Sequence, residues 1–246
     1  GKLAMILEYP SFPSIEELAQ PELKLAGLRI NPKTNGPSTG QAFYYKKITI
    51  KDLKSMKELP VTGLPENPKI SDIGWSPEGK KIAFLLTRAE GLELWMALAA
   101  DGKAVRLTEP IINGVGFQGY EWFSDSNRIL YKAVLKDRGE APQKGAIPKG
   151  PVVQSNEIEQ KTAPVRTYQD LLTDKHDEAL FTYYGTSQLM LLDVDQKKST
   201  PIGKPGIFYG STPSPDGSYI LAQTIKQPYS YQVPFYFFPQ TVEVWD

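Results

Sequence analysis

A strand-turn-strand signature recurs along this chain. The run Ile73-Gly74-Trp75-Ser76-Pro77-Glu78-Gly79-Lys80-Lys81-Ile82-Ala83-Phe84 returns as Tyr120-Glu121-Trp122-Phe123-Ser124-Asp125-Ser126-Asn127-Arg128-Ile129-Leu130-Tyr131, with Trp75 matching Trp122 and Ile82 matching Ile129. A third copy is Thr212-Pro213-Ser214-Pro215-Asp216-Gly217-Ser218-Tyr219-Ile220-Leu221, and Gly1-Lys2-Leu3-Ala4-Met5 reads as the tail of a fourth. Pro presets φ and Gly permits φ > 0, so Ser-Pro-Glu-Gly and Ser-Pro-Asp-Gly each turn one strand back on the next. A second half follows each hairpin, as in Leu92 to Met96, the Asp101-Gly102 turn and Val105 to Thr108. Its counterparts are Tyr45 to Ile50, Leu189 to Val194 and Val242 to Asp246.

Four strands per unit, repeating at about 45 residues, match a propeller blade that buries each face on a neighbour. A two-sheet sandwich shows regular strands without a repeating turn signature and fits less well. The expectation is an all-β, partial β-propeller of about three and a half four-stranded blades with short helical insertions. Its blades are placed near 1–65, 66–112, 113–205 and 206–246, so that the chain begins inside one blade and stops after the third strand of another. Trp75, Trp122, Ile82 and Ile129 should occupy equivalent buried positions.

Composition narrows function mainly by exclusion. Lys plus Arg and Asp plus Glu balance at 28 each, so no basic field exists to collect nucleic acid. The longest apolar stretch, Leu94 to Ala100, is far short of the roughly 20 residues of a membrane-spanning helix. Neither nucleic acid nor membrane is expected as a partner. Without cysteine there is no thiolate zinc site and no thiol nucleophile, and no cofactor is expected.

Two repeat units carry long insertions. Ser14 and Glu17 stand at capping-box spacing before a short helical stretch that Pro21 should end. Residues near 137 to 152 read as an exposed loop, and Thr167 to Tyr184 has apolar spacing suited to one or two helical turns. Pro13 to Glu22, Leu25 to Ile30, Val165 to Leu172, Tyr183-Tyr184 with Ser187 to Leu189, and Gln227 to Ser230 with Val233-Pro234 make the chain resemble the propeller of the prolyl oligopeptidase family of serine peptidases, glutamyl endopeptidase branch. The resemblance spans essentially the whole chain. It implies a propeller capping an α/β-hydrolase domain of the same polypeptide, with peptide substrates reaching a Ser, Asp, His triad between the two.

This chain departs from that pattern in lacking a Gly-x-Ser-x-Gly elbow, so the triad is expected on a hydrolase domain after Asp246, and the chain itself as non-catalytic. The alternative from another class is a free-standing propeller acting as a protein-binding module. Gly185 to Leu189 imitates an elbow, but Leu189 stands where backbone crowding demands a small residue, and Ser187 reads as the start of a strand. His176, the only histidine, lies in the polar run Asp174 to Glu178, which reads as a solvated helix face. Asp193-Val194-Asp195 lacks the Gly and Glu of a calcium loop and reads as a strand ending in a turn. Tyr229, Tyr231, Phe235, Tyr236, Phe237 and Phe238 read chiefly as filling between strands, with a contact surface as the other option. Arg29 and Arg166, both in segments that carry the resemblance, are the candidates for binding an acidic group of the substrate, against pairing with a local acid such as Asp170.

Overall fold

The computed structural model describes residues 2–10, 12–38, 44–116, 118–144 and 168–246. Strand β1 (Leu3–Glu8) leads into an insertion holding helix α1 (Ile15–Leu18) and the hairpin strands β2 (Leu23–Leu25), β3 (Leu28–Asn31) and β4 (Gly36–Pro37). The chain returns as β5 (Lys47–Asp52), antiparallel to β1, and continues into β6 (Glu58–Pro60). A four-stranded meander follows: β7 (Ile70–Trp75), β8 (Lys81–Thr87), β9 (Leu92–Leu98) and β10 (Ala104–Arg106). Next come β11 (Tyr120–Trp122), β12 (Arg128–Val134), helix α2 (Lys175–Gly185) and β13 (Ser187–Asp193). The long strand β14 (Lys198–Pro213) pairs through its first part with β13 and through its last part with β15 (Ile220–Ile225), to which β16 (Gln240–Trp245) adds.

The recurring turns close alike. The Ser76 N–H donates to the Lys81 carbonyl, the Ser76 Oγ accepts the Lys81 N–H at 3.1 Å, and Gly79 sits at φ +75°. Ser214 and Tyr219 repeat this, with Gly217 at φ +70°. In the middle copy Ser126 occupies the left-handed position at φ +59°, a conformation that disfavours side chains. Its Oγ accepts the Glu78 N–H of the preceding turn at 2.9 Å, which explains a serine where its equivalents are glycine.

Three apolar layers join consecutive sheets face to face. Ile48 and Ile50 pack with Ile82, Phe84 and Trp95; Leu85, Leu94 and Met96 pack with Ile129 and Tyr131; Leu130 and Leu189 pack with Phe208 and Ala222. Alternate residues of each middle strand therefore face opposite neighbours, as in a stack of blades, and the fold is an all-β partial propeller. Ile82 and Ile129 are fully buried as expected, but Trp75 and Trp122 are only half-buried. Both end their strands beside the turn.

The capping box forms at Ser14: its Oγ accepts the Glu17 N–H and the Glu17 carboxylate accepts the Ser14 N–H. Helix α2 is longer than expected and starts later, because Asp174 caps it by accepting the Asp177 N–H at 3.0 Å. Leu171 and Leu172 precede it, and Leu172 is buried in the core that α2 covers. Thr167 and residues 145–152 of the expected loop lie outside the described residues; residues 137–144 carry no regular structure.

Candidate functional site

Strand connections dictate where the insertions gather. The signature turns join β7 to β8, β11 to β12 and β14 to β15. The first insertion leaves from Glu8 and returns at Lys47, α2 lies between Val134 and Ser187, and residues 226–239 link β15 to β16. All three depart from strand ends opposite those turns, so one rim receives them. There they share a core in which Leu25 and Ile30 of the hairpin meet Leu180 and Phe181 of α2 and Tyr229, Phe235 and Phe238 of the last loop. Phe181 meets Tyr229 edge-on at 5.0 Å and Phe238 at 5.5 Å.

Polar contacts lock this platform. The β2–β3 hairpin turns on Ala26 (φ +53°) and Gly27 (φ +83°), and a Cβ on Gly27 would stand 2.6 Å from the Cβ of Pro234. The Gly27 N–H donates to the Asp170 carbonyl, and the Phe235 N–H to that of Ala26. The side-chain amides of Asn35 and Asn113 both donate to the Tyr184 carbonyl at the end of α2, and Arg138 donates to Asn35 while lying 4.4 Å from the Tyr183 ring centroid. Sequence reading missed Asn35, Asn113 and Arg138; no local pattern marks a residue whose partner is 70 or more positions away.

A cleft of about 460 Å³ opens beside the platform, where the first insertion meets the ends of β7 and β8. Its walls are Asn31, Lys33, Thr34 and Pro37 of the hairpin, Tyr44 ahead of β5, Lys69 and Ser71 at the start of β7, and Thr87, Arg88 and Ala89 at the end of β8, with Gln20 at the edge. Among the described residues it carries three cations and no carboxylate. Behind it, Glu17 pairs with Lys69 and accepts from the Tyr44 hydroxyl at 2.9 Å. Burial acts to raise the Glu17 pKa, but hydrogen bonds from Lys69, the Ser14 amide and Tyr44 prevail and bring it to about 2. Lys69 is therefore partly neutralised, whereas Lys33 and Arg88 make no side-chain ion pair among the described residues.

Of the two candidate arginines, Arg29 donates through Nε to Asp170 Oδ2 at 2.7 Å and has Glu22 3.8 Å from Nη1. The Asp170 hydrogen bond and charge push its pKa up. Arg166 lies outside the described residues. Ser187 is fully buried at the start of β13, and its Oγ has no hydrogen-bond partner among the described residues. His176 occupies the first turn of α2, and Asp193 to Asp195 end β13 in a turn. The aromatic set divides: Tyr229, Phe235 and Phe238 are buried, while Tyr231, Tyr236 and Phe237 face outward around a 3₁₀ turn.

A second ionisable group lies between blades. A bulge in β7 sets Asp72 at φ +47°, and its Oδ2 accepts the Gly119 N–H at 2.9 Å. Burial raises the Asp72 and Glu121 carboxyls, and it lowers Lys132 to about 8 against the opposing charge of Asp72. These groups join adjacent sheets; none lines the cleft.

No family model matches the chain. Two curated plant proteins, both named "Probable glutamyl endopeptidase, chloroplastic", are 37% identical over 254 residues (Oryza sativa subsp. japonica) and 34% identical over 252 (Arabidopsis thaliana). Each alignment covers 98% of this chain but 26% of the relative, so the chain spans about a quarter of their length. Among solved structures, the acylaminoacyl peptidase of Pyrococcus horikoshii aligns with 89% of this chain and 28% of its own at TM-score 0.48 and 18% identity. The β-propeller domain of the Trilobed protease from Pyrococcus furiosus aligns with 86% of this chain and 48% of its own at TM-score 0.42 and 15% identity. The plant matches run through the repeats and through the insertions of the platform, so the chain is similar along almost its whole length to one segment of proteins named as glutamyl endopeptidases.

Proposed function

We propose that this chain is the non-catalytic propeller of a serine-type peptidase, and that its platform rim admits peptides to an α/β-hydrolase domain of the same polypeptide. The convergence of all three insertions on one rim carries this reading. Elements added to a repeat scaffold cluster where a partner or substrate is met. The plant relatives named as endopeptidases, each about four times longer than the aligned segment, support it. Ser187 offers no competing nucleophile, since its hydroxyl is buried in the β13 ladder.

The test uses a fluorophosphonate probe and Glu-containing peptides. The 246-residue chain should be neither labelled nor active, while the full gene-encoded polypeptide containing it should be both. Labelling of the short chain, or of neither, would overturn the reading. For Arg29, two acidic neighbours support a holding role over recognition. Substituting Met at Arg29 or Arg166 in the full polypeptide and comparing kcat/KM on Glu and Gln substrates separates the roles: a recognition residue loses the Glu preference, and a holding residue loses both alike.

A further inference from the structure

We propose that the cleft walled by Lys33, Lys69 and Arg88 binds an acidic peptide segment through its side-chain carboxylates. The inference rests on the reading that peptides pass this rim and adds to it a cleft that holds part of the peptide. Two of the three cations lack an acidic partner among the described residues, and the third shares Glu17 with the Ser14 amide and Tyr44. A concave wall with uncompensated positive charge concentrates anions.

The distribution of charge selects the ligand. Lys33 comes from the β3–β4 hairpin, while Lys69 leads into β7 and Arg88 follows β8 on the neighbouring strand, where the Thr87 N–H donates to the Lys69 carbonyl, so the cations stand on two facing elements, the hairpin and the β7–β8 pair. Between them lie the Asn31 amide, the hydroxyls of Ser71 and Thr87, the Tyr44 ring, Pro37 and Ala89. A small dense anion is best held by donors gathered on one point. Dispersed cations interleaved with amide, hydroxyl and apolar groups suit a polypeptide whose flexible side chains carry separate carboxylates. The Arg88 guanidinium can take one carboxylate with two parallel hydrogen bonds. The volume has room for about two or three residues.

The experiment titrates the 246-residue chain, by calorimetry at low salt, with an end-blocked hexaglutamate peptide, its hexaglutamine counterpart and inorganic phosphate. Hexaglutamate should bind at least about tenfold more tightly than hexaglutamine, with phosphate displacing it only weakly. Arg88→Met and Lys33→Met should each weaken hexaglutamate binding about tenfold, Arg88→Lys should lose less than Arg88→Met, and Lys57→Met, an exposed lysine on the turn before β6, should stay within about twofold. Equal affinity for the two peptides, equal loss in Lys57→Met, or phosphate binding more tightly than hexaglutamate would each overturn the proposal. Any of these would leave the peptidase reading standing, because fluorophosphonate labelling tests that independently.

Discussion

Replacing Phe181 by Ala probes whether the platform is held by its aromatic core. Phe181 is 1% exposed and meets Tyr229, Phe235 and Phe238 at centroid distances of 5.0, 6.5 and 5.5 Å. Burying a phenyl ring and then deleting it costs about 3–5 kcal/mol in transfer and cavity terms. Two edge-on ring pairs, each worth about 0.5–1.5 kcal/mol beyond area, place this site toward the upper end. Collapse of the surrounding loop into the cavity sets the lower bound. The four tryptophans, Trp75, Trp95, Trp122 and Trp245, all lie on propeller strands, so their fluorescence in urea reports the blades. Hydrogen exchange of the α2 amides reports the platform. The substitution should lower the opening free energy of α2 by about 3–5 kcal/mol, and Phe181→Leu by about 1–1.5 kcal/mol. A change below about 1 kcal/mol in Phe181→Ala would refute the claim that this ring holds the insertions together.

Three further outcomes follow from particular contacts. Lys132 is lowered to about 8 in the folded chain, so between that value and its ordinary 10.5 the unfolded chain binds a proton the folded one does not. Stability should rise with pH across that window, by on the order of 3 kcal/mol at most, and urea titrations of Lys132→Met should lose the rise; parallel curves for both proteins would refute this. At Ser126, whose left-handed backbone carries a hydrogen bond from Glu78, Ser126→Ala should be less stable than Ser126→Gly by about 1 kcal/mol in the thermal midpoint analysis; equal stability would count against strain there. Arg29→Met should destabilise the chain because it leaves Asp170 without its guanidinium, and Arg29→Met combined with Asp170→Asn should cost less than the sum of the two changes, as read by double-mutant urea curves.

The repeated turn, the capping box at Ser14 and the end of β13 at Asp193 were legible because each is a local agreement between neighbouring residues. Backbone freedom at Gly79 and Gly217, or a hydroxyl three positions from a carboxylate, needs nothing distant to take effect. The unbroken apolar run Ile82 to Leu86 of β8 likewise suits a strand buried on both faces. Tertiary structure decided the rest. Whether Phe235 or Phe237 is buried depends on a 3₁₀ turn and on where α2 presents Phe181, and the aromatic run has no strand alternation from which to read it. Ser126 replaces glycine because a turn 48 residues earlier supplies its donor. Arg29 pairs with Asp170 across 141 positions, and the cleft exists only where Lys33, Lys69 and Arg88 converge from three strand ends. Local chemistry fixes turns and caps because its energy is set within a few bonds, whereas burial and charge compensation depend on which surfaces chain connectivity brings into contact.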